Sequence, residues 1–575
     1  MNEKILFWHA GGMLSLTHLE TSIALALKLR GYDVHMIICD GVKSACVLRD
    51  VTNNIPIRDW SESCNTCDNS IRNFVESLGI SVSGMGDYIS QETMNEIRRI
   101  SANFSLEQTD RFIHKNINMG TTIKSSLYRY LMGYPMDGHE EIIPEFTKAT
   151  LITFEAAAKA YEVHKPTHVF MSHAMYSDWG GAFKLAVKYN LNISIYMASY
   201  QKAFFYFNRV RSDFPDFRGV RPELWEEIKH RPLDCDQKCR INSFFQNRYH
   251  QGGSYDMGQI FKKIDSDVAA FKEKYQINSK RPVWTLFTHM NWDAVSETAP
   301  MIYSDFDTWL LDTIEIMKKI TDVQWLIKIH PVEVEFNNQT GAYALIKNTY
   351  DYLPDHIKVV PPEESILPND LYGIIDGGIT VYGTAGFELT HWGKPVILAG
   401  KVYYGQKGFT YDACNRDEYV ALLTRASTIG PLSEEQRELA DKLIYTQFIQ
   451  MPIPLAIIED PDPDQKYPLF QDHLADTLNP GEDPHIDLIC DAMMNNNDFI
   501  LSDQMVSKLY PIETGAEIDP AQNCVQSGEI NCTKVLMQKS VVNPFDENKL
   551  NNIFSTQTKI SKSVYHKYER LYLPK

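Results

Sequence analysis

The chain alternates short apolar runs with longer amphipathic stretches, and the pattern is clear from its start. An apolar run over residues 4–9 is followed by Gly11 and Gly12, then by a helical pattern over 15–29 and a second apolar run over 32–39. Apolar runs of this length predict buried strands, and an apolar period of 3.6 residues predicts the helix between them. The order strand, helix, strand predicts a βαβ unit that opens a Rossmann-like sheet.

The same alternation continues along the chain in two series. The further predicted strands cover 167–172, 193–198 and 282–288, and the predicted helices cover 90–160, 179–189 and 306–321. The second series ends near residue 398. Strands that alternate with helices indicate parallel sheets covered by helices on both faces, so the predicted fold class is α/β with two Rossmann-like domains.

The pattern also predicts three regions. Residues 1–278 form the N-terminal Rossmann-like domain with a helical insertion, and residues 279–450 form the C-terminal Rossmann-like domain. Prolines interrupt regular structure just beyond residue 451, so residues 451–575 are predicted to be a C-terminal extension. Within this extension the segment 486–494 has a helical pattern and is expected to return to the N-terminal domain.

A glycine-rich turn between a predicted strand and a predicted helix is the strongest chemical signal. Gly383, Thr384 and Gly386 stand immediately before a helix predicted to begin near Phe387. Small residues let backbone N–H groups approach an anion, and the helix N-terminus adds partial positive charge. The turn therefore predicts a phosphate site, with Glu388 in the first helical turn beside it.

Two other segments of the second domain carry polar side chains at strand ends. Lys328 and His330 alternate on one predicted strand, so they share a face and can reach the same phosphate. Thr288 and Asn291 follow the first strand of this domain, where ligands bind in open α/β sheets. The alternative for each is a structural role, such as capping a strand or a helix.

These motifs resemble the donor-binding signature of GT-B glycosyltransferases of capsule and surface polysaccharide assembly. The resemblance rests on Gly-Thr-x-Gly-x-Glu at 383–388 and on Gly-Lys-Pro-Val at 393–396. Lys-x-His-Pro at 328–331 is similar to the His-Pro motif of bacterial sialyltransferase-like and Kdo-transferase-like enzymes, which use CMP-activated sugars. The resemblance is strongest over residues 281–419.

The resemblance implies a GT-B arrangement, with an N-terminal acceptor domain and a C-terminal donor domain. It implies transfer of a sugar from a nucleotide-activated donor to a surface polysaccharide or glycolipid. A CMP-sugar is favoured, UDP- and GDP-sugars stay open, and so does the choice between inversion and retention. It also implies that Glu388 accepts both ribose hydroxyls, and that transfer needs no divalent ion or other cofactor. The alternatives are a nucleotide-sugar epimerase of similar fold and a non-catalytic carbohydrate assembly protein or scaffold.

The proton acceptor for such a transfer is sought in the N-terminal domain. His9, His18 and Glu20 belong to the first βα unit, which faces the donor turn in a two-domain cleft. A histidine suits this role because its usual pKa near 6.5 allows proton acceptance at neutral pH. His173 and Asp178 follow a later strand and are candidates for the acceptor side. For each histidine the alternative is packing against a helix face.

Four cysteines are candidates for a structural metal site. Cys39, Cys46, Cys64 and Cys67 have the spacing C-x6-C-x17-C-x2-C. Four thiolates can bind zinc tetrahedrally, and the C-x2-C pair has the ligand spacing that zinc favours. The alternatives are buried or free cysteines and an iron–sulfur cluster.

Net charge, hydropathy and cysteine content limit the classes of partner and the cellular compartment expected for the chain. The 56 basic and 74 acidic residues give a net charge of −18, which opposes nonspecific binding to nucleic acid or anionic lipid. No apolar run approaches the roughly 20 residues that span a bilayer. Ten cysteines among 575 residues are too few for a disulfide scaffold. The expected compartment is the cytoplasm, and peripheral association with the inner face of the membrane stays open, as does the oligomeric state.

Overall fold

The computed structural model describes residues 3–512 except 12–13, 54, 202, 211, 213–214, 251–265, 278–279, 295–296, 298–299, 365, 456 and 458–475. The strands are β1 (Lys4–His9), β2 (Asp33–Ile38), β3 (Ser81–Gly84), β4 (Ile113–His114), β5 (Ile117–Asn118), β6 (His168–Ser172), β7 (Asn192–Ala198), β8 (Phe204–Val210), β9 (Val283–Phe287), β10 (Gln324–Lys328), β11 (Ile357–Val360), β12 (Gly377–Thr380), β13 (Val396–Leu398), β14 (Tyr411–Asp412) and β15 (Ile453–Pro454).

The helices alternate with these strands. They are α1 (Leu14–Leu29), α2 (Glu62–Ser77), α3 (Gln91–Ala102), α4 (Gly120–Leu131), α5 (Ile142–His164), α6 (Tyr176–Lys188), α7 (Pro222–His230), α8 (Cys235–His250), α9 (Val268–Lys274), α10 (Phe306–Met317), α11 (Val332–Glu335), α12 (Ala342–Thr349), α13 (Pro368–Ile374), α14 (Thr384–His391), α15 (Arg416–Thr424), α16 (Glu434–Tyr445), α17 (Pro484–Asn495) and α18 (Asp503–Leu509). None of the helices in the described ranges is long and apolar enough to cross a membrane.

The first sheet has seven strands in the order β15-β8-β7-β6-β1-β2-β3. The five strands from β7 to β3 are parallel, and Phe7 of β1 lies opposite Phe170 of β6 and Met36 of β2. At one edge of the sheet, β8 pairs antiparallel with both of its neighbours, β7 and β15. The strand order reverses between β1 and β6, and ligands of open α/β sheets bind at the carboxyl ends of strands at such a switch point.

The second sheet has six parallel strands in the order β11-β10-β9-β12-β13-β14. Its switch point lies between β9 and β12, which pair directly. Trp284 of β9 and Trp325 of β10 are fully buried partners in register. Gly377 of β12 lies beside them, where a Cβ would come within 2.7 Å of the Trp284 ring. The predicted fold class, α/β with two Rossmann-like domains, is confirmed.

The predicted helical insertion is interrupted. The sequence predicts helices throughout 90–160, whereas a hairpin of β4 and β5 separates α3 from α4. Lys115 and Asn116 turn this hairpin with φ values of 45° and 65°. Met132 and Gly133, with φ values of 50° and 89°, end α4 before α5 begins. Left-handed backbone cannot continue a right-handed helix, so these residues break the predicted stretch.

Part of the C-terminal extension lies against the N-terminal domain. β15 pairs with β8, and Arg30 at the end of α1 forms an ion pair with Asp487 of α17. The Arg30 Nη1 also donates to the Leu478 carbonyl at 2.8 Å. α17 covers the segment predicted to be helical, and residues 513–575 of the extension lie outside the described residues. The predicted domain boundaries themselves stay predictions.

The long connection after β9 crosses from the C-terminal domain to the N-terminal domain. Glu297 in this connection accepts hydrogen bonds from Thr122 Oγ1 and from the Tyr176 backbone N–H, each at 2.6 Å. Lys184 Nζ lies 3.7 Å from the same carboxylate. Asp293 accepts a hydrogen bond from the Tyr176 hydroxyl. These contacts fix the end of β9 against the start of α6.

Candidate functional site

A cleft of about 430 Å³ lies between the two domains, where the switch points of both sheets open. From the N-terminal domain it is lined by His173, Met175, Tyr176, Met197 and residues 215–218. From the C-terminal domain it is lined by His289, Met290, Asp293, Ala294, Phe306, Tyr382 and residues 401–403. The site therefore combines connections that follow β6, β9, β12 and β13, as expected of a ligand site in folds of this kind.

Arg218 places a positive charge in this cleft. Its guanidinium carbon lies 4.7 Å from the ring centroid of Tyr200, 5.4 Å from that of Tyr403 and 5.7 Å from that of Tyr206. Its one side-chain hydrogen bond is a long contact of 3.5 Å to the Tyr403 hydroxyl. Among the described residues, no carboxylate lies within ion-pair distance of this guanidinium. Arg218 is thus a cation held by aromatic faces in a cleft.

The N-terminus of α14 is connected to the same tyrosines. The hydroxyls of Tyr200 and Thr384 are hydrogen-bonded at 2.8 Å. Gly383 precedes the helix without a side-chain cap, and its carbonyl accepts a hydrogen bond of 2.7 Å from the Tyr404 hydroxyl. Helix N-termini carry partial positive charge and favour anions. The predicted phosphate turn and Arg218 therefore share one cluster of tyrosines.

His289 fixes the position of this turn. Its Nε2 accepts hydrogen bonds from the backbone N–H groups of Val381, at 3.1 Å, and Tyr382, at 3.3 Å. Burial, with a smaller contribution from His330, lowers the pKa of His289 to about 3. A neutral imidazole that accepts at Nε2 carries its proton on Nδ1. His289 therefore joins the connections after β9 and β12 as a neutral side chain.

No protein-family model matches the chain, and no curated protein matches it. Among solved structures it is similar to the beta Kdo 2,4 transferase KpsC of Thermosulfurimonas dismutans, with 16% identity, a TM-score of 0.31, and coverage of 55% of this chain and 87% of that chain. It is also similar to the spinosyn rhamnosyltransferase SpnG, with 12% identity, a TM-score of 0.24, and coverage of 77% and 96%.

A third similar structure is the UDP-GlcNAc 2-epimerase from Neisseria meningitidis, with 11% identity, a TM-score of 0.22, and coverage of 77% of this chain and 96% of that chain. TM-scores in this range carry no argument about function. The fold class therefore rests on strand order and pairing, and the function rests on the residues of the cleft.

The two glycines of the predicted phosphate turn have packing roles as well. A Cβ at Gly386 would lie 2.4 Å from the Tyr404 hydroxyl oxygen and 2.8 Å from Cγ2 of Thr380. The Gly383 N–H donates to Thr380 Oγ1 at 3.1 Å. The glycines thus let the turn fold against β12 and Tyr404. Their binding role, like that of Thr384, stays a prediction.

Glu388 has internal partners instead of a ligand. Its side chain is buried, and its two oxygens accept hydrogen bonds from Arg248 Nε at 3.0 Å, the Tyr249 hydroxyl at 2.5 Å and the Tyr372 hydroxyl at 3.1 Å. It also forms an ion pair with Arg248. These internal donors occupy the carboxylate, and the predicted role of accepting ribose hydroxyls stays a prediction. Glu388 joins α14 to α8 and α13.

The other four donor-binding candidates lie outside the cleft lining, as do Gly383, Thr384, Gly386 and Glu388. Lys328 Nζ donates to the carbonyls of Ile329 and Pro361, each at 3.3 Å, and burial lowers the pKa of Lys328 to about 8. The His330 Nδ1 accepts from the Val332 N–H at 3.3 Å, and burial, with Lys328, lowers the pKa of His330 to about 4.

Thr288 and Asn291 connect loops in the same region. Thr288 Oγ1 accepts from the His330 N–H at 3.0 Å. Asn291 Nδ2 donates to the Thr340 carbonyl at 2.7 Å. Thr288 and His330 are therefore in direct contact, and His330 lies near both His289 and Lys328. The predicted contacts of these residues and of Asn291 with a donor stay predictions.

The candidates for the proton acceptor in the first βα unit are buried away from the cleft. His9 Nδ1 and Glu20 Oε2 are 2.7 Å apart, and both side chains are completely buried. Glu20 also accepts from the Tyr196 hydroxyl at 2.7 Å. The ring of His18 packs 5.3 Å from that of Phe74. A base must touch the acceptor hydroxyl, and none of these three side chains is in the cleft lining, so the predicted catalytic roles of His9, Glu20 and His18 stay predictions.

The two acceptor-side candidates differ in their surroundings. His173 lines the cleft, so its predicted place is consistent with the structure. Asp178 is buried, accepts from Lys43 Nζ at 2.6 Å and from the Val47 N–H at 3.0 Å, and forms a fully buried ion pair with Lys43. Asp178 therefore holds the connection after β2 and does not face an acceptor.

The predicted zinc site stays a prediction. Among the residues with described positions, which include all four cysteines, no group of three or more His, Cys, Asp or Glu side chains could hold a metal ion. Burial raises the pKa of Cys39 to about 12 and that of Cys46 to about 11. Cys64 Sγ contacts the Trp60 carbonyl at 3.5 Å. The alternative of an iron–sulfur cluster stays open as well.

Sequence reasoning missed Arg218 and the tyrosines whose rings surround it. Arg218 follows β8 in a short connection, and Tyr200 and Tyr403 follow β7 and β13. Tyr403 belongs to Lys-Val-Tyr-Tyr-Gly at 401–405, immediately after the predicted turn-helix-strand unit. A position after a strand is the one signal that could have selected these residues, and for Arg218 that strand, β8, is antiparallel to its neighbours. The spacing of residues along the chain does not reveal that Arg218 has no carboxylate partner among the described residues.

Asp307 in the first turn of α10 gives a pH-dependent prediction. Burial, with a smaller contribution from Asp305, raises the pKa of Asp307 from 3.8 to about 6. The folded state then holds the proton more tightly than the unfolded state, so this group lowers stability as pH rises from about 4 to about 6. We expect Asp307→Asn to raise the free energy of unfolding by roughly 1 to 3 kcal/mol at pH 8 and to change it little at pH 4.

Urea denaturation at the two pH values measures this effect. Asp417→Asn, which replaces an exposed aspartate in the first turn of α15, is the matched control and should change stability equally at both pH values. An Asp307→Asn effect of equal size at pH 4 and pH 8 would contradict the prediction.

Proposed function

We propose that the chain is a glycosyltransferase that moves a sugar from a nucleotide-activated donor to a surface polysaccharide or glycolipid acceptor. The observation that carries the proposal is Arg218, a cation in a two-domain cleft with no carboxylate partner among the described residues. Its neighbour Tyr200 is hydrogen-bonded to Thr384 at the N-terminus of α14.

A charge in this position calls for an anionic ligand. Taking a guanidinium out of water costs free energy unless an opposite charge or hydrogen-bond acceptors compensate it. The tyrosine faces around Arg218 compensate part of this cost through cation–π contacts. A phosphate matches the planar fork of an arginine and forms paired, charge-assisted hydrogen bonds with it. A phosphate group is therefore the ligand chemistry that the cluster favours.

The rest of the cleft suits a nucleotide and a sugar. Its volume of about 430 Å³ falls within the usual range for small-molecule sites. Phe306 and Tyr382 line the cleft and offer aromatic rings to a base. The N-terminus of α14 is not in the cleft lining but is hydrogen-bonded to Tyr200 beside Arg218, and we propose that its positive end favours the phosphate. The His-Pro motif at 330–331 favours a CMP-sugar within this proposal, with UDP- and GDP-sugars as alternatives.

The proposed chemistry follows from this arrangement of charge. Negative charge builds up on the departing phosphate during transfer, and Arg218 with the helix N-terminus stabilises it. This pair supplies positive charge without a divalent ion, so transfer is proposed to need none. The N-terminal side of the cleft receives the acceptor. A location in the cytoplasm, with or without peripheral membrane association, stays a prediction from the sequence.

Thermal denaturation with a panel of ligands tests the proposal. CMP, UDP, GDP and their sugar conjugates are added to the whole chain, and the melting temperature is measured. A ligand that binds only the folded state at 100 times its Kd stabilises it by about 2.7 kcal/mol. We expect one nucleotide family to raise the melting temperature, and the matching nucleoside, which lacks phosphate, to have little effect.

Turnover assays separate the alternatives. Sugar transfer that requires an added glycan or glycolipid supports the glycosyltransferase, whereas conversion of the donor alone indicates an epimerase. Binding without turnover indicates a non-catalytic scaffold. If no nucleotide raises the melting temperature, the proposed function is wrong.

A further inference from the structure

His173 occupies a distinctive position in the cleft. It is the first residue after β6, the strand beside β1 at the switch point of the N-terminal sheet. Its side chain lines the same cleft as Arg218 and His289. It therefore faces the space in which an acceptor and a donor phosphate would meet.

The backbone around His173 is held in an unfavourable conformation. His173, Ala174 and Tyr176 have φ values of 44°, 58° and 63°, in the left-handed region that residues with a Cβ rarely adopt. The Tyr176 N–H donates to Glu297, and the Tyr176 hydroxyl donates to Asp293. Both carboxylates come from the C-terminal domain, so the two domains together impose this turn. Such strain concentrates at functional sites.

Two contacts orient the imidazole ring of His173. Its ring stacks on that of Trp179, with centroids 5.1 Å apart and an interplanar angle of 28°. Its Nδ1 is hydrogen-bonded to Ser172 Oγ. When Nδ1–H donates to this hydroxyl, the lone pair is on Nε2. Burial, with a smaller contribution from Arg129, lowers the pKa of His173 to about 4, so the ring is neutral at pH 7.

The other histidine and the carboxylates of the cleft already accept hydrogen bonds. Nε2 of His289 accepts two backbone N–H groups, which leaves the proton on its Nδ1. Asp293 accepts from the Tyr176 hydroxyl. Asp216 accepts from the backbone N–H groups of Arg218 at 3.2 Å and Gly219 at 2.7 Å. These interactions give His289, Asp293 and Asp216 structural tasks.

We propose that His173 is the general base that deprotonates the acceptor, an inference that rests on the proposed glycosyltransferase function. The proton of the acceptor hydroxyl moves to Nε2 of His173, and the freed oxygen bonds to the anomeric carbon of the donor sugar. The bond from that carbon to the phosphate oxygen breaks, and its electron pair stays on the phosphate beside Arg218. His173 then releases the proton to solvent. This assignment replaces His18, His9 and Glu20.

The test uses the sugar conjugate of the nucleotide family that stabilises the wild-type chain. The rate of nucleotide release is measured with water as the acceptor. His173→Gln is expected to slow release by about 100-fold or more, the usual effect of losing a general base, with the nucleotide-induced melting shift unchanged. His230→Gln, at an exposed histidine that ends α7, is the matched control and should match wild type.

His173→Gly distinguishes a proton acceptor from a structural residue. Glycine accepts a positive φ without strain and leaves a space for a free imidazole. Added imidazole is expected to restore part of the release rate in His173→Gly and to leave that of His173→Gln unchanged. Imidazole cannot restore a role in folding.

Three results would overturn the assignment. Release at nearly the wild-type rate by His173→Gln, with its melting shift intact, leaves the proposed function standing and excludes His173 as the base. Loss of the melting shift in His173→Gln makes the residue a binding group. If no nucleotide raises the melting temperature of the wild-type chain, the proposed function is wrong, and the assignment of His173 as the base is wrong with it.

Discussion

Arg218→Met is expected to weaken nucleotide binding by about 100-fold while leaving the unliganded chain folded. Hydrogen bonds to charged groups contribute about 1.5 to 3 kcal/mol each, and a phosphate can form two with one guanidinium. Methionine keeps an unbranched side chain that packs against the rings of Tyr200 and Tyr403. We therefore expect the free energy of unfolding without ligand to change by less than about 1 kcal/mol.

Titration calorimetry with the stabilising nucleotide measures the affinity, and urea denaturation measures the stability. The control is Arg58→Met, because the Arg58 side chain is 84% exposed and lies outside the cleft lining. Unchanged affinity in Arg218→Met would remove the residue from the donor site. Loss of folding in Arg218→Met would instead mean that the cation–π cluster is required for stability.

Glu388→Ala is expected to destabilise the chain by about 3 to 5 kcal/mol, because it leaves the buried Arg248 without its carboxylate. Among the described residues Nη1 of Arg248 has no hydrogen-bond partner, so the loss of Glu388 leaves this charge poorly compensated. The hydroxyls of Tyr249 and Tyr372 would lose their acceptor as well. The midpoint of urea denaturation measures the effect.

Two further variants show whether the cost comes from the unpaired charge. Glu438→Ala removes a glutamate that is 42% exposed and pairs with Lys442 on the surface, and it should cost less than about 1 kcal/mol. The double variant Arg248→Met with Glu388→Leu should recover much of the loss, since apolar side chains of similar volume often replace a buried ion pair without cost. Wild-type stability with lost nucleotide binding in Glu388→Ala would restore the ligand role that the sequence predicts.

Much of the fold could be predicted because its signals are local. The apolar runs that became β1, β2, β6 and β9 are continuous along the chain, as expected for strands covered on both faces. The order of strand, turn and helix around Gly383 was predicted because the three follow within a few residues. The helix start was not, since α14 begins at Thr384 and includes Thr384 and Gly386, whereas the sequence predicts a start near Phe387. The hairpin of β4 and β5 was missed because its strands are two residues long and have no apolar period.

The site was predicted less well, because residue type does not show what a side chain pairs with. Glu388 looks like a ligand group from its place in a first helical turn, yet Arg248 and Tyr249, about 140 positions earlier, occupy its carboxylate. His9 and Glu20 look like a catalytic pair, yet they bind each other inside the core. Asp178 is compensated by Lys43, 135 positions away.

The sequence by itself determined the α/β class, the two series of strands and helices, and the glycine turn at 383–386, because each depends on neighbouring residues and on an apolar period. Tertiary structure alone decided which charges are paired and which are not. Arg218 meets Tyr403, 185 positions away, and Tyr200 meets Thr384, 184 positions away, only when the two sheets face each other. Burial and charge compensation arise from such distant contacts, so the proposed phosphate site and base emerge only in the folded chain.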